Sequence, residues 1–459
     1  MQIAHFHKII RPIGTKLLLG ILAFWLFAAC GSKNGLQVYN VGYLYDVDEL
    51  APKPQFVVEH INEEITTIHY RINTGNLLYM RNAETKKYEA KCFFKYQLLA
   101  SFELLSPLDS GQIEIRDEAI EPDQKILIGS FDIRTHPKTL DGSYVLSFNL
   151  KDENRDQEFP DFLRINKSSE SVASQFLLTD TVGNVLFKNH IPPNTPFKLK
   201  YSGVAPQTLW LSHYYRNFPI ALPPYSSNVG QSFDLEPDTL FEINYGEVYQ
   251  FKNPGFYHFR MDTSSWDGFT VLSFYKDFPF VSKKEHLGPP LRYITNRKEY
   301  KELSEKFEEP DDLKKVVDEF WLNRTGSVDR SRFVLQSFYE RVQESNVYFS
   351  SYLEGWKTDR GIIYIVYGPP NKVYKSNTGE AWIYGDESSS LSYYFTFAKV
   401  KNPFSENDFE LERMTNYRYG WGQAIEAWRN GHVYNSKDIK REQDEQDQSQ
   451  FRQGSPYWN

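Results

Sequence analysis

The stretch GWKTDRGIIYIVYGPP, residues 355–370, decides how the C-terminal third of the chain is interpreted. Its polar start suits a turn, because the side chains of Thr358 and Asp359 can accept hydrogen bonds from nearby amides and Gly361 can adopt a positive φ. Residues 362–367 then form an apolar run of strand length, rich in β-branched and aromatic side chains. The pattern therefore predicts a turn followed by a buried strand.

The end of this stretch predicts an abrupt stop. Gly368 is followed by Pro369 and Pro370, and neither proline can donate a hydrogen bond to a neighbouring strand. The large side chains of Trp356 and Trp382 are expected to pack over the sheet that the strand joins.

Asp359 and Arg360 also allow a functional interpretation, as a catalytic or ligand-binding pair. Turn chemistry already accounts for both residue types, so the structural interpretation is favoured. We therefore assign no catalytic residue to this stretch.

The segment around this stretch combines helix and strand patterns. Asn296 can cap a helix together with Glu299, and Pro310 suits the first turn of a second helix. Apolar residues at helical spacing indicate a third helix, namely Leu335, Phe338, Tyr339 and Val342. Strands are predicted at residues 382–384 and 393–397, so residues 283–434 are expected to form an α+β domain.

The chain upstream of residue 283 is dominated by strand patterns. Short alternating segments separated by turn residues predict two all-β antiparallel sandwich domains, at residues 36–168 and 169–282. In the run from Tyr88 to Leu104 the period of two places Cys92 on the inward face of a strand, where a thiol behaves as a small apolar group. This run exceeds normal strand length and is expected to be bent or split.

One loop of the second β domain, residues 214–225, combines aromatic residues with prolines. Such a loop can present a preorganised surface to a partner protein or a sugar, or it can fold back over the end of the sandwich. The candidate partner-binding residues are Tyr214, Tyr215, Phe218 and Tyr225.

The N-terminus has the features of a lipoprotein signal peptide at residues 1–29. Basic residues precede an apolar core of about a dozen residues, which is too short to span a bilayer stably. The pair Ala28-Ala29 before Cys30 resembles the lipobox of lipoprotein signal peptides, so we expect lipidation of Cys30 and a short tether over residues 30–35. At the other end, the polar residues 435–459 are expected to be disordered.

Charge and residue spacing argue against several classes of function. The formal net charge of −8 argues against nucleic acid as a partner. No pair of histidines has the spacing of a helical zinc site, and the sequence contains no Cys-x-x-Cys, phosphate-binding loop or nucleophile-elbow motif. We therefore expect no metal, no cofactor and no enzymatic reaction.

Residues 355–370 resemble the signature of the GWxTD-domain family, which is widespread among Bacteroidota envelope proteins. The resemblance extends upstream through Trp321 and Arg324 and downstream to residues 380–384. The signature and structural positions are Gly355, Trp356, Thr358, Asp359, Arg360, Gly361, Gly368, Pro369, Pro370 and Trp382. The resemblance implies a domain and a compartment, but no established reaction.

These observations predict an envelope lipoprotein that acts as a non-enzymatic interaction or scaffold component. The resemblance and the anchor together suggest a role accessory to outer-membrane assembly or type IX secretion, with other envelope proteins as partners. A glycan-binding or glycan-processing lipoprotein is the alternative, based on the aromatic loop. Residues 31–35 include no acidic residue. Surface-exported lipoproteins of these bacteria tend to have an acidic cluster there, so the expected location is the periplasmic side of the outer membrane.

Overall fold

The computed structural model describes residues 40–45, 52–104, 106–135, 139, 142–168, 172–227, 234–387 and 392–441. The predicted signal peptide, Cys30 and the tether lie outside these residues, as do residues 442–459 of the predicted tail. Several antiparallel sheets form the N-terminal part, and the C-terminal part contains a run of helices, four strands and a final helix.

Two antiparallel sheets make up the first β region. The three-stranded sheet has the order β1 (Gln55–His60), β2 (Ile65–Asn73) and β6 (Ile126–Arg134). The five-stranded sheet contains β3 (Met80–Arg81), β4 (Tyr88–Leu99), β5 (Asp109–Ala119), β7 (Ser143–Asp152) and β8 (Gln157–Asn166). Side chains of both sheets share their apolar clusters, with Ile72 of β2 beside Phe94 of β4 and Leu150 of β7.

The long run that begins at Tyr88 ends as a strand at Leu99, where the chain turns. Cys92 is fully buried in the first β region, as its position in the alternating pattern predicted. Burial and the charge of Asp152 raise the pKa of the Cys92 thiol to about 12, so the thiolate is disfavoured.

The second β region also contains two antiparallel sheets. One pairs β9 (Phe176–Thr179) with β10 (Lys198–Tyr201), and the other has the order β12 (Thr239–Asn244), β11 (Thr208–Tyr214), β13 (Gly255–Arg260) and β14 (Gly268–Ser273). Both sheets supply side chains to one apolar cluster, including Phe176, Leu199 and Phe259.

The C-terminal domain packs helices against a four-stranded antiparallel sheet. The helices are α1 (Arg297–Ser304), α2 (Pro310–Thr325), α3 (Val328–Phe349), α4 (Asp359–Tyr367) and α5 (Tyr417–Arg429). The strands follow in chain order as β15 (Lys372–Lys375), β16 (Gly379–Tyr384), β17 (Tyr393–Lys399) and β18 (Phe409–Leu411). The predicted start of α1 is confirmed, because Asn296 and Glu299 form a capping box.

The prediction of a strand at residues 362–367 is wrong, because these residues belong to helix α4. All nine residues of α4 are buried, so no polar face reveals the helical period of 3.6. A short run that is apolar on every side gives the same signal for a buried strand and a buried helix. The β-branched composition then favoured the wrong alternative.

Two further differences from the predictions lie near the C-terminus. Helix α5 was not predicted, although its buried face includes Trp421, Ala424 and Trp428. Residues 436–441 are helical, and Ile439 is 1% exposed, so order extends into the segment predicted to be disordered from residue 435. Burial of one isoleucine anchors this segment despite its polar composition.

The N-terminal segment, residues 40–45, packs on the C-terminal domain although the sequence placed it in the first β region. Val41 and Tyr45 belong to the same apolar cluster as Trp382 and Phe349. Residues far apart in sequence thus share one core, which no local pattern could indicate.

Candidate functional site

The site is built around helix α4, which begins immediately after the turn formed by residues 355–357. Thr358 caps the helix, because its Oγ1 accepts a hydrogen bond from the backbone N of Gly361 at 3.1 Å. Gly361 is helical and does not adopt the positive φ that a turn would have required. A Cβ at Gly361 would lie 1.9 Å from the carbonyl oxygen of Gly355, and this close approach explains the glycine.

Asp359 is bound on the β18 side of the helix. Its Oδ2 accepts hydrogen bonds from the backbone N of Leu411 at 2.8 Å and from Nη1 of Arg413 at 3.1 Å. Burial raises the pKa of the Asp359 carboxyl, and Arg413 opposes that effect. The first residue of α4 therefore ties the helix to the strand at the edge of the sheet.

Arg360 forms a second, separate ion pair. Its Nη1 lies 3.3 Å from Oε1 of Glu380 on β16, and both side chains are 3% exposed. Its Nη2 donates to the carbonyl oxygen of Asn407 at 3.1 Å. Asp359 and Arg360 therefore have different partners, and the structure does not bring them together as one catalytic or ligand-binding pair.

Glu380 is the centre of a buried polar cluster. Its carboxylate accepts hydrogen bonds from Trp382 Nε1 at 3.0 Å and from the Tyr45 hydroxyl at 3.0 and 3.2 Å, and Lys375 Nζ lies 3.6 Å away. Burial alone would raise the pKa of Glu380, but Lys375 and Arg360 outweigh it and lower the pKa to about 2. The carboxylate is therefore charged at any physiological pH.

The C-terminal end of α4 is also satisfied by side chains. Arg341 Nη1 donates to the carbonyl oxygens of Ile365 and Val366 at 3.1 and 3.3 Å, and Trp428 Nε1 donates to Val366 O at 2.9 Å. Gly368 adopts φ +79°, and a Cβ there would lie 2.6 Å from the Arg341 guanidinium. These donors replace the hydrogen bonds that the last turn of a helix lacks.

The remaining signature residues have structural positions. Pro369 and Pro370 follow Gly368 and end α4, so they stop a helix rather than a strand. Trp382 belongs to β16 itself and is fully buried, with the rings of Phe349 and Phe397 at 5.3 and 4.8 Å. Trp356 is 7% exposed, and its ring centroid lies 6.2 Å from that of Tyr293.

The aromatic loop at residues 214–225 folds back against the C-terminal domain. Tyr214 is fully buried, the Phe218 ring lies 5.5 Å from that of Tyr352, and the Arg418 guanidinium lies 5.0 Å from the Tyr225 ring. Only Tyr215 of the four candidate residues is largely exposed, at 59%. Three of the four candidate residues, Tyr214, Phe218 and Tyr225, therefore contact the C-terminal domain.

Sequence reasoning missed four residues of the site: Tyr45, Lys375, Glu380 and Arg413. Tyr45 and Arg413 are remote in sequence from the signature, and no local pattern connects them to it. For Glu380 the sequence did indicate a buried position. It lies two residues before Trp382, so both side chains face the same side of the strand. A carboxylate on the apolar face of a strand needs a buried cation.

The part of the chain that the structure describes contains no group of three or more His, Cys, Asp or Glu residues arranged to hold a metal ion. Within the same residues, no helix is both long enough and apolar enough to cross a membrane.

Comparison with known families identifies the C-terminal region. Residues 255–430 match the GWxTD domain, so the chain contains a domain of this class. The match begins at β13, whereas the sequence analysis placed the start of the domain further along the chain, at residue 283. In the structure, Phe256 of β13 and Leu272 of β14 share an apolar cluster with Phe404 of the C-terminal domain.

No curated protein matches the chain. Among solved structures, the chain is similar to the crystal structure of a transglutaminase from red sea bream, at 9% identity over 49% of this chain and 32% of that one, with a TM-score of 0.17. A likeness at this level carries no inference about fold or activity.

Proposed function

We propose that the protein is a non-enzymatic interaction or scaffold component of the bacterial cell envelope, in which the GWxTD domain organises the other regions. The observation that carries this proposal is that the charged signature residues are buried and form ion pairs with other residues of the same chain. Asp359 is 8% exposed and Arg360 3% exposed, and each is bound by an internal partner. Groups held in this way fix a shape and do not face a substrate.

Contacts between the regions support a scaffold. Arg164 of β8 donates from Nη1 to the carbonyl oxygen of Asn377 at 3.1 Å. The backbone N of Ala221 in the aromatic loop donates to Lys357 O at 2.8 Å, next to the signature helix. The C-terminal domain thus forms directional hydrogen bonds with both β regions, and these would hold the regions in fixed positions.

The proposal includes the finer architecture and the location. We propose that each β region is a sandwich, since each has two sheets that share apolar clusters. We further propose a Bacteroidota lipoprotein with lipid on Cys30, held on the periplasmic side of the outer membrane. Its partners would be envelope proteins of the outer-membrane assembly or type IX secretion machinery. The net charge of −8 makes nucleic acid an unfavourable partner.

Two experiments test the proposal. Metabolic labelling with palmitate should label the wild-type chain and leave Cys30→Ser unlabelled. Affinity purification from envelopes solubilised in mild detergent should then recover a defined set of envelope proteins. Recovery of the chain alone under these conditions would contradict the scaffold role, and equal labelling of Cys30→Ser would contradict the anchor.

A second candidate function is glycan binding, and a depression on the first β region favours it. This depression has a volume of about 530 Å³ and lies against strands β4, β5 and β7. Its polar lining residues are Lys95, Gln97, Ser110, Gln112, Ser147 and Asn149. Amide and hydroxyl side chains on a concave surface can bind sugar hydroxyl groups. Binding on a glycan array that Gln97→Ala abolishes would support this candidate, as would hydrolysis of peptidoglycan or plant polysaccharides for a processing role.

A further inference from the structure

The N-terminal segment, residues 40–45, is bound at the edge of the C-terminal sheet. The backbone N of Val41 donates to Val373 O at 2.9 Å, and the backbone N of Val373 donates to Asn40 Oδ1 at 3.0 Å. Strand β15, which contains Val373, pairs with β16 on one side, so the segment contacts its other side. These contacts resemble the addition of a peptide to a sheet edge.

Gly42 shows how closely this segment lies against the signature. A Cβ at Gly42 would be 3.4 Å from the carbonyl oxygen of Pro370 and 3.2 Å from that of Asn371. The turn that ends helix α4 therefore forms one wall of the groove that holds the segment.

Tyr45 occupies the polar cluster described above. Its ring centroid lies 5.2 Å from those of Trp382 and Phe349, and Lys375 Nζ lies 5.0 Å from the ring centroid. Its hydroxyl donates to Glu380, while its own carbonyl oxygen accepts a hydrogen bond from the Tyr364 hydroxyl at 3.0 Å. The residue is 5% exposed, in contrast to Tyr43 at 40%.

The chemistry of this cluster is selective for a neutral phenol. Glu380 is ionised and can only accept, so it binds a hydroxyl that donates. A phenylalanine would fill the same space without this hydrogen bond. A phosphorylated tyrosine would bring its negative charge against Glu380.

We propose that Arg360, Lys375, Glu380 and Trp382 form a tyrosine socket for Tyr45. The socket binds residues 40–45 strongly enough that they stay bound when the chain after them is cut. The GWxTD domain is then the part of the protein to which the N-terminus is attached.

A consequence for the membrane rests on the proposed lipid at Cys30. Cys30 and Asn40 are ten residues apart in the sequence, and ten residues span at most about 36 Å. The socket would therefore keep the GWxTD domain next to the membrane.

Cutting the chain between the segment and the body tests the socket. A protease recognition sequence is inserted between Asp48 and Glu49 of the full chain, which carries a C-terminal tag. After cleavage, the body is captured by the tag, and the N-terminal fragment that remains bound is quantified by mass spectrometry. We expect the wild-type fragment to stay bound through repeated washes.

Matched tyrosine variants make the test specific. Tyr45→Ala should reduce the retained fragment at least tenfold, whereas Tyr43→Ala should retain it as the wild type does. Tyr45→Phe, which keeps the ring, should dissociate about tenfold faster than wild type, because it loses one hydrogen bond to a charged group. The proposal is overturned if the wild-type fragment washes off like the Tyr45→Ala fragment, or if Tyr43→Ala and Tyr45→Ala behave alike.

A second arm uses the lipidated chain on phosphatidylethanolamine–phosphatidylglycerol vesicles. After cleavage, the wild-type body should remain on the vesicles, and the Tyr45→Ala body should be released. A chain that never binds vesicles would count against the lipid anchor, while the capture result would still decide the socket. Release of the wild-type body on cleavage would contradict the socket.

Discussion

The second β region and the C-terminal domain, with helices α1–α5 and strands β15–β18, bury polar side chains in different ways. The second β region buries imidazoles that are held neutral, since burial lowers the pKa of His190 and that of His258 to about 4. The C-terminal domain buries full charges as the pairs Arg360–Glu380 and Asp359–Arg413. A neutral group needs only hydrogen-bond partners, whereas a buried charge needs a counter-charge at the correct distance. The two regions should therefore differ in their response to mutation and to pH.

The largest expected effect is the loss of the buried carboxylate. Glu380→Gln removes the counter-charge of both Arg360 and Lys375 and should lower the free energy of unfolding by about 3–5 kcal/mol. Urea denaturation measures this change. Glu302→Gln is the matched control, because Glu302 is 63% exposed and lies 3.9 Å from Lys298, and its loss should cost less than about 0.5 kcal/mol. Equal losses of unfolding free energy in the two variants would show that burial of the ion pair adds nothing to stability.

A smaller but still large effect is expected at the N-terminus of α4. Gly361→Ala places a Cβ 1.9 Å from a backbone oxygen, which cannot move as a flexible side chain does. We expect a loss of about 3 kcal/mol, measured as a shift of the denaturation midpoint. Gly422→Ala in α5 is the control: its Cβ would meet nothing within 4 Å, so it should stabilise the protein by about 0.5–1 kcal/mol. A Gly361→Ala protein as stable as wild type would disprove the close-approach explanation.

Acidification should destabilise the second β region and leave the Arg360–Glu380 pair charged. The unfolded chain takes up protons as pH falls below about 6.5, while folded His258 stays neutral down to about pH 4. Stability attributable to this residue is therefore lost between these values, at about 1.4 kcal/mol per pH unit. Glu380, with its pKa of about 2, remains charged throughout that window.

Denaturation curves at pH 7.0, 6.0 and 5.0 measure this dependence, and His258→Gln provides its control. Nε2 of His258 is 3.0 Å from the carbonyl oxygen of Trp266, and Nδ1 is 2.9 Å from Thr270 Oγ1, so the neutral ring is satisfied on both sides. The glutamine variant should be less stable at pH 7.0 but should depend less on pH. An unchanged pH slope would rule out His258 as its source.

The smallest effect is expected at Tyr215, the exposed residue that follows strand β11 at the start of the aromatic loop. Tyr215→Ala should change the free energy of unfolding by less than about 0.5 kcal/mol, because its side chain is 59% exposed. Phe218→Ala, which loses contacts with Phe256 and Tyr352, should cost more. The same denaturation assay compares the two variants. A larger loss for Tyr215→Ala would contradict this order, because the exposed Tyr215 would then hold the loop more strongly than Phe218 does.

The success of the sequence-based predictions differs between the elements. Helix α1 was predictable because its capping box is a local pattern within four residues, Asn296 to Glu299. The inward position of Cys92 was predictable because one face of its strand is polar. Helix α4 was not, because all of its faces are buried and its sequence therefore shows no period.

The sequence by itself determined the start of helix α1, the inward face of strand β4 and the class of the C-terminal domain. Tertiary structure alone decided that Asp359 and Arg360 bind separate partners, and that Tyr45 enters the same cluster as Glu380. Local patterns depend on neighbours within a few residues, which the sequence displays directly. Tyr45 and Glu380 are 335 positions apart, and only the folded core determines which buried charge meets which partner.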